Sequence, residues 1–186
     1  MTPFGSSLLN LEQAPHVRVA LLSDTHGFVD ERVLDVVRLC DIAVHAGDIV
    51  GPSVLAALQP RSGHVIAVRG NNDTAEQWPE GLEHLLNVLP EQAHIALPGG
   101  QLAVEHGHRV LPARDRARRL RARHPQARAV VFGHTHRLLI EQDEAIWLLN
   151  PGAAGRTRTH GGPSCLVLHA SREGWHLQVH RFPARG

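Results

Sequence analysis

The chain has 186 residues, of which 42% are hydrophobic and 20% charged, and its formal net charge is +1. This composition is typical of a globular domain and excludes a collagen-like or disordered chain. The small net charge gives no general affinity for nucleic acid or an anionic membrane. No apolar stretch reaches the ~20 residues that span a bilayer, and residues 1–15 lack the basic start and apolar run of a secretory signal. We therefore expect a cytoplasmic protein.

The first half of the chain alternates between strands and helices. Its predicted elements are a flexible leader over residues 1–16, a strand over Val17–Leu22, a helix over Asp30–Leu39 with Asp30 as N-cap, a strand over Asp41–His45, a short helix over Pro52–Leu58 and a strand over His64–Val68. This order predicts parallel strands joined by right-handed crossovers. Polar motifs follow the strands directly, at the edge where open α/β sheets bind their ligands.

The second half is richer in strands. It contains a predicted hairpin of His94–Leu97 with Leu102–Glu105, an Arg-rich helix over Pro112–Arg123, and strands over Ala129–Phe132, Leu138–Glu141, Ala145–Leu149, Ser164–His169 and Trp175–His180. Because no linker or internal repeat interrupts residues 17–186, we expect a single α/β domain whose second half forms a second sheet. Cys40 and Cys165 each lie in an apolar run, which favours two buried thiols over a disulfide.

Five polar motifs recur at the ends of predicted strands: Asp24-Thr25-His26, Gly47-Asp48, Gly70-Asn71-Asn72-Asp73, Glu105-His106-Gly107-His108 and Gly133-His134-Thr135-His136. Side chains two residues apart in an extended segment point to the same side, so Asp-x-His and His-x-His pairs reach one centre or two adjacent centres. Any single motif of this kind is usually a turn. Together and in this order, they predict a metal centre at the carboxyl ends of the strands.

This ordered set resembles the calcineurin-like metallophosphoesterase superfamily, whose signature is D-x-H, G-D, G-N, H and G-H-x-H. It resembles in particular the branch of small YfcE-like and MJ0936-like phosphodiesterases, which shares the Gly-Asn-x-Asp and His-Gly-His motifs and the segment Asn150-Pro151-Gly152. The resemblance covers roughly Val17–Gly155. It implies a four-layer α/β/β/α sandwich of two mixed sheets with flanking helices.

The resemblance also implies two divalent metal ions. Carried over by motif, the ligands are Asp24, His26 and His136 for the first ion, Asn71, His106 and His134 for the second, and Asp48 as the bridge between them. His106 is chosen over His108 because the ligand of the family directly precedes Gly. Carboxylate and imidazole ligands without a thiolate favour Mn, with Ni, Fe, Co or Zn as alternatives, over Mg or Ca.

The implied reaction is hydrolysis of a phosphate ester by in-line attack of a hydroxide that the two ions share. The expected substrate is a small phosphate ester or a nucleotide-like molecule, and a diester is favoured. Asn71 and His108 are the candidate catalytic residues. Many phosphatases of the wider superfamily have a His after Gly-Asn as leaving-group acid, whereas this chain has Asn72, and a neutral amide cannot donate that proton. We therefore expect slow turnover of poor leaving groups, or a proton from water or from another His. His108 is the best candidate, although orienting the neighbouring ligand loop is its favoured role.

Several nearby residues have less direct predictions. We expect Asp73 to fix its loop or a ligand His rather than to bind metal, and Thr25 and Thr135 to be spacers. Three basic residues of the Gly-rich loop after Asn150, namely Arg156, Arg158 and His160, either contact substrate phosphate or belong to a solvated loop, and the solvated loop is favoured.

Two other functions remain open at this point. A non-catalytic, Vps29-like protein-interaction scaffold shares the resemblance, but a scaffold tolerates loss of ligands and this chain keeps all seven. A nuclease would use the arginines of Pro112–Arg123, but these spread around the helix and favour a solvated surface. We therefore expect neither nucleic acid nor a membrane as partner. Formation of a homo-oligomer is left open.

Overall fold

The computed structural model describes residues 8–184 of the chain. In chain order its elements are β1 (Leu8–Asn10), β2 (His16–Leu22), α1 (Glu31–Arg38), β3 (Ile42–His45), α2 (Pro52–Ala57), β4 (Val65–Ala67), a 3-10 helix (Glu83–Val88), β5 (Gln92–Leu97), β6 (Gly100–Glu105), a 3-10 turn (Ala113–Asp115), α3 (Arg116–Arg123), β7 (Ala129–Val131), β8 (Leu138–Glu141), β9 (Trp147–Pro151), β10 (Ser164–Ser171) and β11 (Trp175–Arg181).

These strands form two mixed sheets. The first sheet has the order β11-β10-β2-β3-β4, in which β2, β3 and β4 are parallel and β10 pairs antiparallel with both β2 and β11. The second has the order β1-β5-β6-β7-β9-β8, in which β6, β7 and β9 are parallel. The two parallel groups point their carboxyl ends towards the same end of the molecule, and the polar motifs follow those ends.

Alternation along the strands builds the layers. In β2, the buried side chains of Val19 and Leu21 pack between the two sheets, whereas those of Ala20 and Leu22 pack against the layer of α1 and α2. On the outer face of the second sheet, Leu120 of α3 is fully buried in a third cluster. Because successive side chains of a strand point to opposite faces, each sheet buries both of its faces. The prediction of a four-layer α/β/β/α sandwich is confirmed.

The start of α1 agrees with the sequence. The side chain of Asp30 accepts a hydrogen bond from the Arg32 backbone N–H at 3.0 Å, as an N-cap does. Cys40 and Cys165 are both free and buried, which confirms the prediction of two thiols. Burial raises the pKa of Cys40 to about 11 and that of Cys165 to about 12, so neither thiol ionises near neutral pH.

The segment before β2 differs from the prediction. Leu8–Asn10 pairs in parallel with β5, and the Leu11 N–H donates to the Ala96 carbonyl at 2.7 Å. The side chain of Leu9 packs against the core between the sheets. The prediction of a flexible leader over residues 1–16 is therefore wrong at Leu8–Asn10. The strand was missed because three residues at the edge of a sheet have too little periodicity to be recognised in the sequence. Residues 1–7 lie outside the described part of the chain.

Two other elements were not predicted as they occur. The Arg-rich helix begins with a 3-10 turn at Ala113–Asp115 before α3, and Glu83–Val88 forms a 3-10 helix that the sequence did not indicate. The core nevertheless includes Leu86 of that helix. Within residues 8–184, no helix is long and apolar enough to cross a membrane.

Candidate metal centre

The five predicted motifs meet at one end of the sandwich. Asp24 and His26 follow β2, and Asp48 follows β3, both in the first sheet. His106 follows β6 in the second sheet, and His134 with His136 follows β7. Asn71 follows β4. Because these strands are parallel within each sheet, their carboxyl ends bring all seven side chains to a single site.

The backbone of the site is strained where ligand side chains leave it. Five non-glycine residues there have φ between 47° and 68°, in the left-handed region: Asp24, His26, Asp48, His134 and His136. Such conformations cost of order 1–3 kcal/mol each and gather at functional sites. The loops also approach closely, since a Cβ on Gly133 would lie 2.0 Å from the Ser23 Oγ.

The first group of side chains is compact. The candidate ligand atoms of Asp24, His26, Asp48 and His136 all lie within 4.8 Å of one another. The His136 Nε2 lies 3.3 Å from the Asp24 Oδ1 and 3.2 Å from the His26 Nε2, and the His26 Nε2 lies 3.7 Å from the Asp48 Oδ2. Two imidazole nitrogens and two carboxylates therefore face a common point.

A second group continues from the other oxygen of Asp48. The His106 Nε2 lies 3.3 Å from the Asp48 Oδ1 and 3.1 Å from the Asn71 Oδ1. The Asn71 Oδ1 is in turn 3.0 Å from the His134 Nδ1. Asn71 is exposed, so this group forms the open side of the site. Asp48 contacts both groups, through a different oxygen for each.

Hydrogen bonds from neighbouring residues orient Asp48 and its loop. The Asn72 backbone N–H donates to the Asp48 Oδ1 at 2.8 Å, and the Asn72 side-chain amide donates to Oδ2 at 2.7 Å. Asp73 accepts hydrogen bonds from the backbone N–H groups of Ile49 and Gly70 and from the Trp78 indole. The prediction that Asp73 fixes its loop is confirmed. The sequence did not reveal the contacts of Asn72, since they depend on how the loops after β3 and β4 pack.

A buried polar layer lies beneath the ligands. The Thr25 Oγ1 is 2.9 Å from the Nε2 of the fully buried His45, whose Nδ1 accepts from the Gly47 N–H at 3.2 Å. Thr25 is thus more than the spacer that the sequence predicted. The Thr135 hydroxyl is likewise bonded, since the Asn150 Nδ2 donates to it at 3.0 Å. The Asn-Pro-Gly segment was the sequence signal that could have pointed to this contact.

Burial dominates the ionisation of the histidines. It lowers the pKa of His134 and of His136 to about 4, and it also lowers that of His26, so these rings are neutral at pH 7. Burial alone would lower the pKa of His106 as well, but the hydrogen bond and the charge of Asp48 raise it. The His106 Nδ1 lies 2.7 Å from the Ala46 carbonyl, which favours a proton on Nδ1 and directs Nε2 into the site.

The pKa values of the two carboxyl groups, Asp24 and Asp48, are shifted in opposite directions. Burial raises the pKa of Asp24 to about 7. Burial also opposes ionisation of Asp48, but the hydrogen bond and the charge of His106, together with the two bonds from Asn72, hold the pKa of Asp48 well below its usual value. Neutral imidazoles, carboxylates and an amide oxygen are the ligands that divalent transition metals bind. The residues present therefore fit a pair of divalent ions.

His108 lies beside the second group and outside the contacts described above. Its ring centroid is 5.4 Å from that of His106 and 6.3 Å from that of His134. Its Nδ1 is buried and has no hydrogen-bond partner within residues 8–184, and burial lowers its pKa. This position suits either of the two predicted roles.

The arginines of α3 are partly used in the fold. Arg121 donates to the Ile146 carbonyl at 2.9 Å and pairs with Glu141 at 3.0 Å, and Arg123 lies 3.4 Å from the buried carboxylate of Glu105. These pairs leave fewer free charges than the sequence suggests for contacts with a nucleic acid.

Comparisons with known proteins agree with this geometry. The family model described as "Calcineurin-like phosphoesterase superfamily domain" matches residues 17–173. The chain is 30% identical over 141 residues to the probable metallophosphoesterase MJ0623 of Methanocaldococcus jannaschii, which covers 73% of this chain and 67% of that protein. It is 22% identical over 151 residues to the phosphodiesterase MJ0936 of the same organism, covering 73% and 83%.

A solved structure shares the fold. Vacuolar protein sorting 29 from Cryptosporidium parvum superposes with a TM-score of 0.70 at 17% identity, covering 90% of this chain and 98% of that one. At this identity the likeness concerns the arrangement of the two sheets and carries no information about activity.

Proposed function

The chain belongs to the calcineurin-like phosphoesterase superfamily and is a metal-dependent phosphoesterase, and from this premise we propose that it hydrolyses phosphodiesters at a dinuclear centre bridged by Asp48. The observation that carries the proposal is the position of this carboxylate. Its Oδ2 lies 3.7 Å from the His26 Nε2 and its Oδ1 lies 3.3 Å from the His106 Nε2, so one oxygen faces each group of ligands.

We assign the ligands to the two ions according to the two groups of side chains that meet at Asp48. Asp24, His26, Asp48 and His136 would hold the first ion, and Asp48, Asn71, His106 and His134 the second. We propose Mn as the metal, with Ni, Fe, Co or Zn as alternatives, because oxygen and imidazole donors are mixed and no thiolate is among them. When bound, two such ions supply Lewis acidity to phosphoryl oxygens and lower the pKa of water.

The side chains of the site determine what can be bound there. Asn71 is exposed at the open side, where its amide can also contact a substrate oxygen, which is the catalytic role proposed for it. The similarity to MJ0936, a protein named as a phosphodiesterase, supports a diester substrate, small or nucleotide-like. Asn72, whose amide is engaged by Asp48, supplies no acid for a poor leaving group.

His108, which lies beside His106 and His134, is the best remaining candidate for the residue that donates the leaving-group proton. We propose that it orients the loop of His106, to which its ring lies adjacent at 5.4 Å, and the alternative is that it donates the proton. A His108→Ala variant separates the two roles. If it keeps its metal and its rate on an unactivated diester, His108 is not the donor.

Two other functions are less well supported. A scaffold function finds a structural neighbour in vacuolar protein sorting 29, but the seven side chains of the metal centre are all in place here. A nuclease function has support only from α3, whose Arg121 and Arg123 are paired with carboxylates. Degradation of single- or double-stranded DNA or RNA by the Mn-loaded protein would instead support the nuclease function.

We also propose, from the sequence pattern, that residues 17–186 form one domain, to which Leu8–Asn10 adds an edge strand, and that the protein works in the cytoplasm. The radius of gyration from solution scattering would test the first statement, and fractionation of cells would test the second. The particle mass from the same scattering measurement would show whether a homo-oligomer forms.

The central experiment compares the wild type with Asp48→Ala. Metal content is measured by mass spectrometry after dialysis, and hydrolysis is measured on bis(p-nitrophenyl) phosphate and p-nitrophenyl phosphate. The wild type should retain two ions per chain and prefer the diester, and the variant should lose both ions and its activity. Asp35→Ala is the matched control, because that carboxylate is 71% exposed. If Asp48→Ala keeps two ions and full hydrolysis, the bridged centre is wrong.

A further inference from the structure

One cation outside the ligand set reaches the metal centre. The Arg158 Nη2 lies 3.5 Å from the His26 Nε2, at the edge of the first group of ligands. His26 in turn lies 3.2 Å from the His136 Nε2 and 3.7 Å from the Asp48 Oδ2, so Arg158 borders the position proposed for the first ion.

The loop that carries Arg158 is anchored on both sides. Gly155 packs so tightly that a Cβ there would lie 2.3 Å from the Thr25 carbonyl oxygen, and on the far side Arg181 donates a hydrogen bond to the His160 carbonyl. Arg158 itself has a φ of 51°, in the left-handed region. A non-glycine residue is held in that conformation only where its surroundings determine it. The expectation of a solvated loop is thus too simple for this residue.

The two arginines of this loop differ in what they contact. The Arg156 guanidinium lies 3.5 Å from the centroid of the Phe28 ring, an arrangement that uses its charge in a cation–π contact. Arg158 has no carboxylate partner within residues 8–184, and its one polar contact there is His26. An exposed cation beside the proposed metal ligands is thus available for an anion.

Charge then decides what Arg158 does once metal is present. A guanidinium beside divalent cations is repelled unless an anion lies between them. A phosphate group satisfies both, because its oxygens bind metal ions on one side and a guanidinium on the other, in the planar geometry that arginine offers. The same contact serves a phosphate ester and inorganic phosphate, since both present the same oxygens.

We propose that Arg158 binds a phosphoryl oxygen of the substrate next to the first metal position, so that phosphate and metal bind cooperatively. This inference rests on the proposed function, because it assigns the anion to the same site. Binding free energies are reciprocal: metal strengthens phosphate binding, and phosphate strengthens metal binding by the same factor. Without phosphate, Arg158 opposes the metal. With phosphate, it supports it.

The test measures binding, independently of turnover. Mn²⁺ is titrated calorimetrically into metal-free protein with and without inorganic phosphate, and phosphate is titrated into Mn-loaded protein. Wild type, Arg158→Gln, Arg158→Lys and the matched control Arg156→Gln are compared. Loss of a charge-assisted contact should weaken phosphate binding about 10- to 100-fold in Arg158→Gln. Mn²⁺ affinity without phosphate should be higher in that variant, and the gain from phosphate should shrink.

The other proteins complete the design. Arg158→Lys should recover part of the phosphate affinity, and Arg156→Gln should match the wild type. The proposal is overturned if Arg158→Gln binds phosphate as tightly as the wild type, or if phosphate raises its Mn²⁺ affinity by the same factor. A wild type that shows the Arg158-dependent coupling but hydrolyses no phosphate ester would contradict the proposed function and leave this inference standing. A wild type that hydrolyses phosphate esters but lacks this coupling would contradict this inference and leave the proposed function standing.

Discussion

Asn72 binds both oxygens of Asp48. Its backbone N–H donates to Oδ1 at 2.8 Å and its side-chain amide donates to Oδ2 at 2.7 Å. The position at which many phosphatases of the superfamily have a His as leaving-group acid thus serves here to orient the carboxylate that we propose as the bridge. An amide at this position supplies no proton, which agrees with the proposed preference for substrates that need little help in leaving.

This contact leads to the first prediction. Asn72→Ala keeps the backbone bond but removes the donor to Oδ2, so Asp48 is oriented less well. Partners of metal ligands typically contribute 10- to 100-fold to metal affinity or activity, and we expect a loss of about that size in one or both. Metal titration and diester hydrolysis measure it. Asn87→Ala, at an exposed amide, is the control. A variant equal to the wild type in both assays would show that the bond from the Asn72 side chain to Asp48 contributes neither to metal binding nor to activity.

The second prediction concerns stability beneath the site. Because the His45 Nδ1 accepts from the Gly47 N–H, its Nε2 carries the proton and donates to the Thr25 hydroxyl. Thr25→Val leaves this fully buried N–H without an acceptor, which costs about 1–3 kcal/mol. We expect a loss of that size in the free energy of unfolding of the metal-free protein in urea. Thr25→Ser retains the hydroxyl and should lose much less, whereas equal losses would point to packing alone.

Much of this site could be predicted from sequence, for a physical reason. Parallel strands align their carboxyl ends, so polar residues directly after Leu22, His45 and Ala67 had to gather at one edge. The motifs after β6 and β7 were predicted in the same way, although their approach to the first sheet depends on sheet packing. No local pattern states how two sheets pack across a core.

The contacts that sequence did not reveal are contacts between loops, which no local pattern states either. Asn72 meets Asp48, and Thr25 meets His45, only because loops from neighbouring strands are pressed together. Arg158 reaches His26 across 132 positions of the chain. The short strand Leu8–Asn10 was missed for a different reason: its pairing with β5 supplies the order, and its own sequence has no alternation long enough to indicate it.

The third prediction uses the close packing between neighbouring loops. A Cβ on Gly70 would lie 2.2 Å from the Asp48 backbone N and 2.3 Å from its Oδ1. Gly70→Ala must therefore move Asp48, and we expect loss of both metal ions together with a destabilisation of about 1–3 kcal/mol. Gly174→Ala meets open space and should change stability by less than about 0.5 kcal/mol. Metal content and urea unfolding measure both. Retention of two ions by Gly70→Ala would contradict the proposed bridge.

The last prediction concerns the metal-free protein and pH. Burial raises the pKa of Asp24 to about 7 in the folded chain, above its value of 3.8 when exposed. A group with a raised pKa contributes its full stability below the unfolded value, and this contribution is lost as pH rises through the folded value. The loss therefore begins near pH 4 and is complete near pH 7. It amounts to about 1.4 kcal/mol for each unit between the two values.

Asp24→Asn resembles the protonated acid and lacks this loss. We expect the metal-free variant to match the wild type near pH 4 and to be the more stable protein at pH 8, by urea unfolding. The low pKa values of His134 and His136 weaken both proteins at acid pH in the same way. The difference between the two curves therefore reports the burial of Asp24 together with its charge interaction with His106. Asp35→Asn, at an exposed carboxylate, should follow the wild type throughout. Adding Mn²⁺ should reverse the order at pH 8, because the ion stabilises only a chain that can bind it. Parallel curves for Asp24→Asn and the wild type would mean that Asp24 carries no buried-charge cost for a metal to relieve.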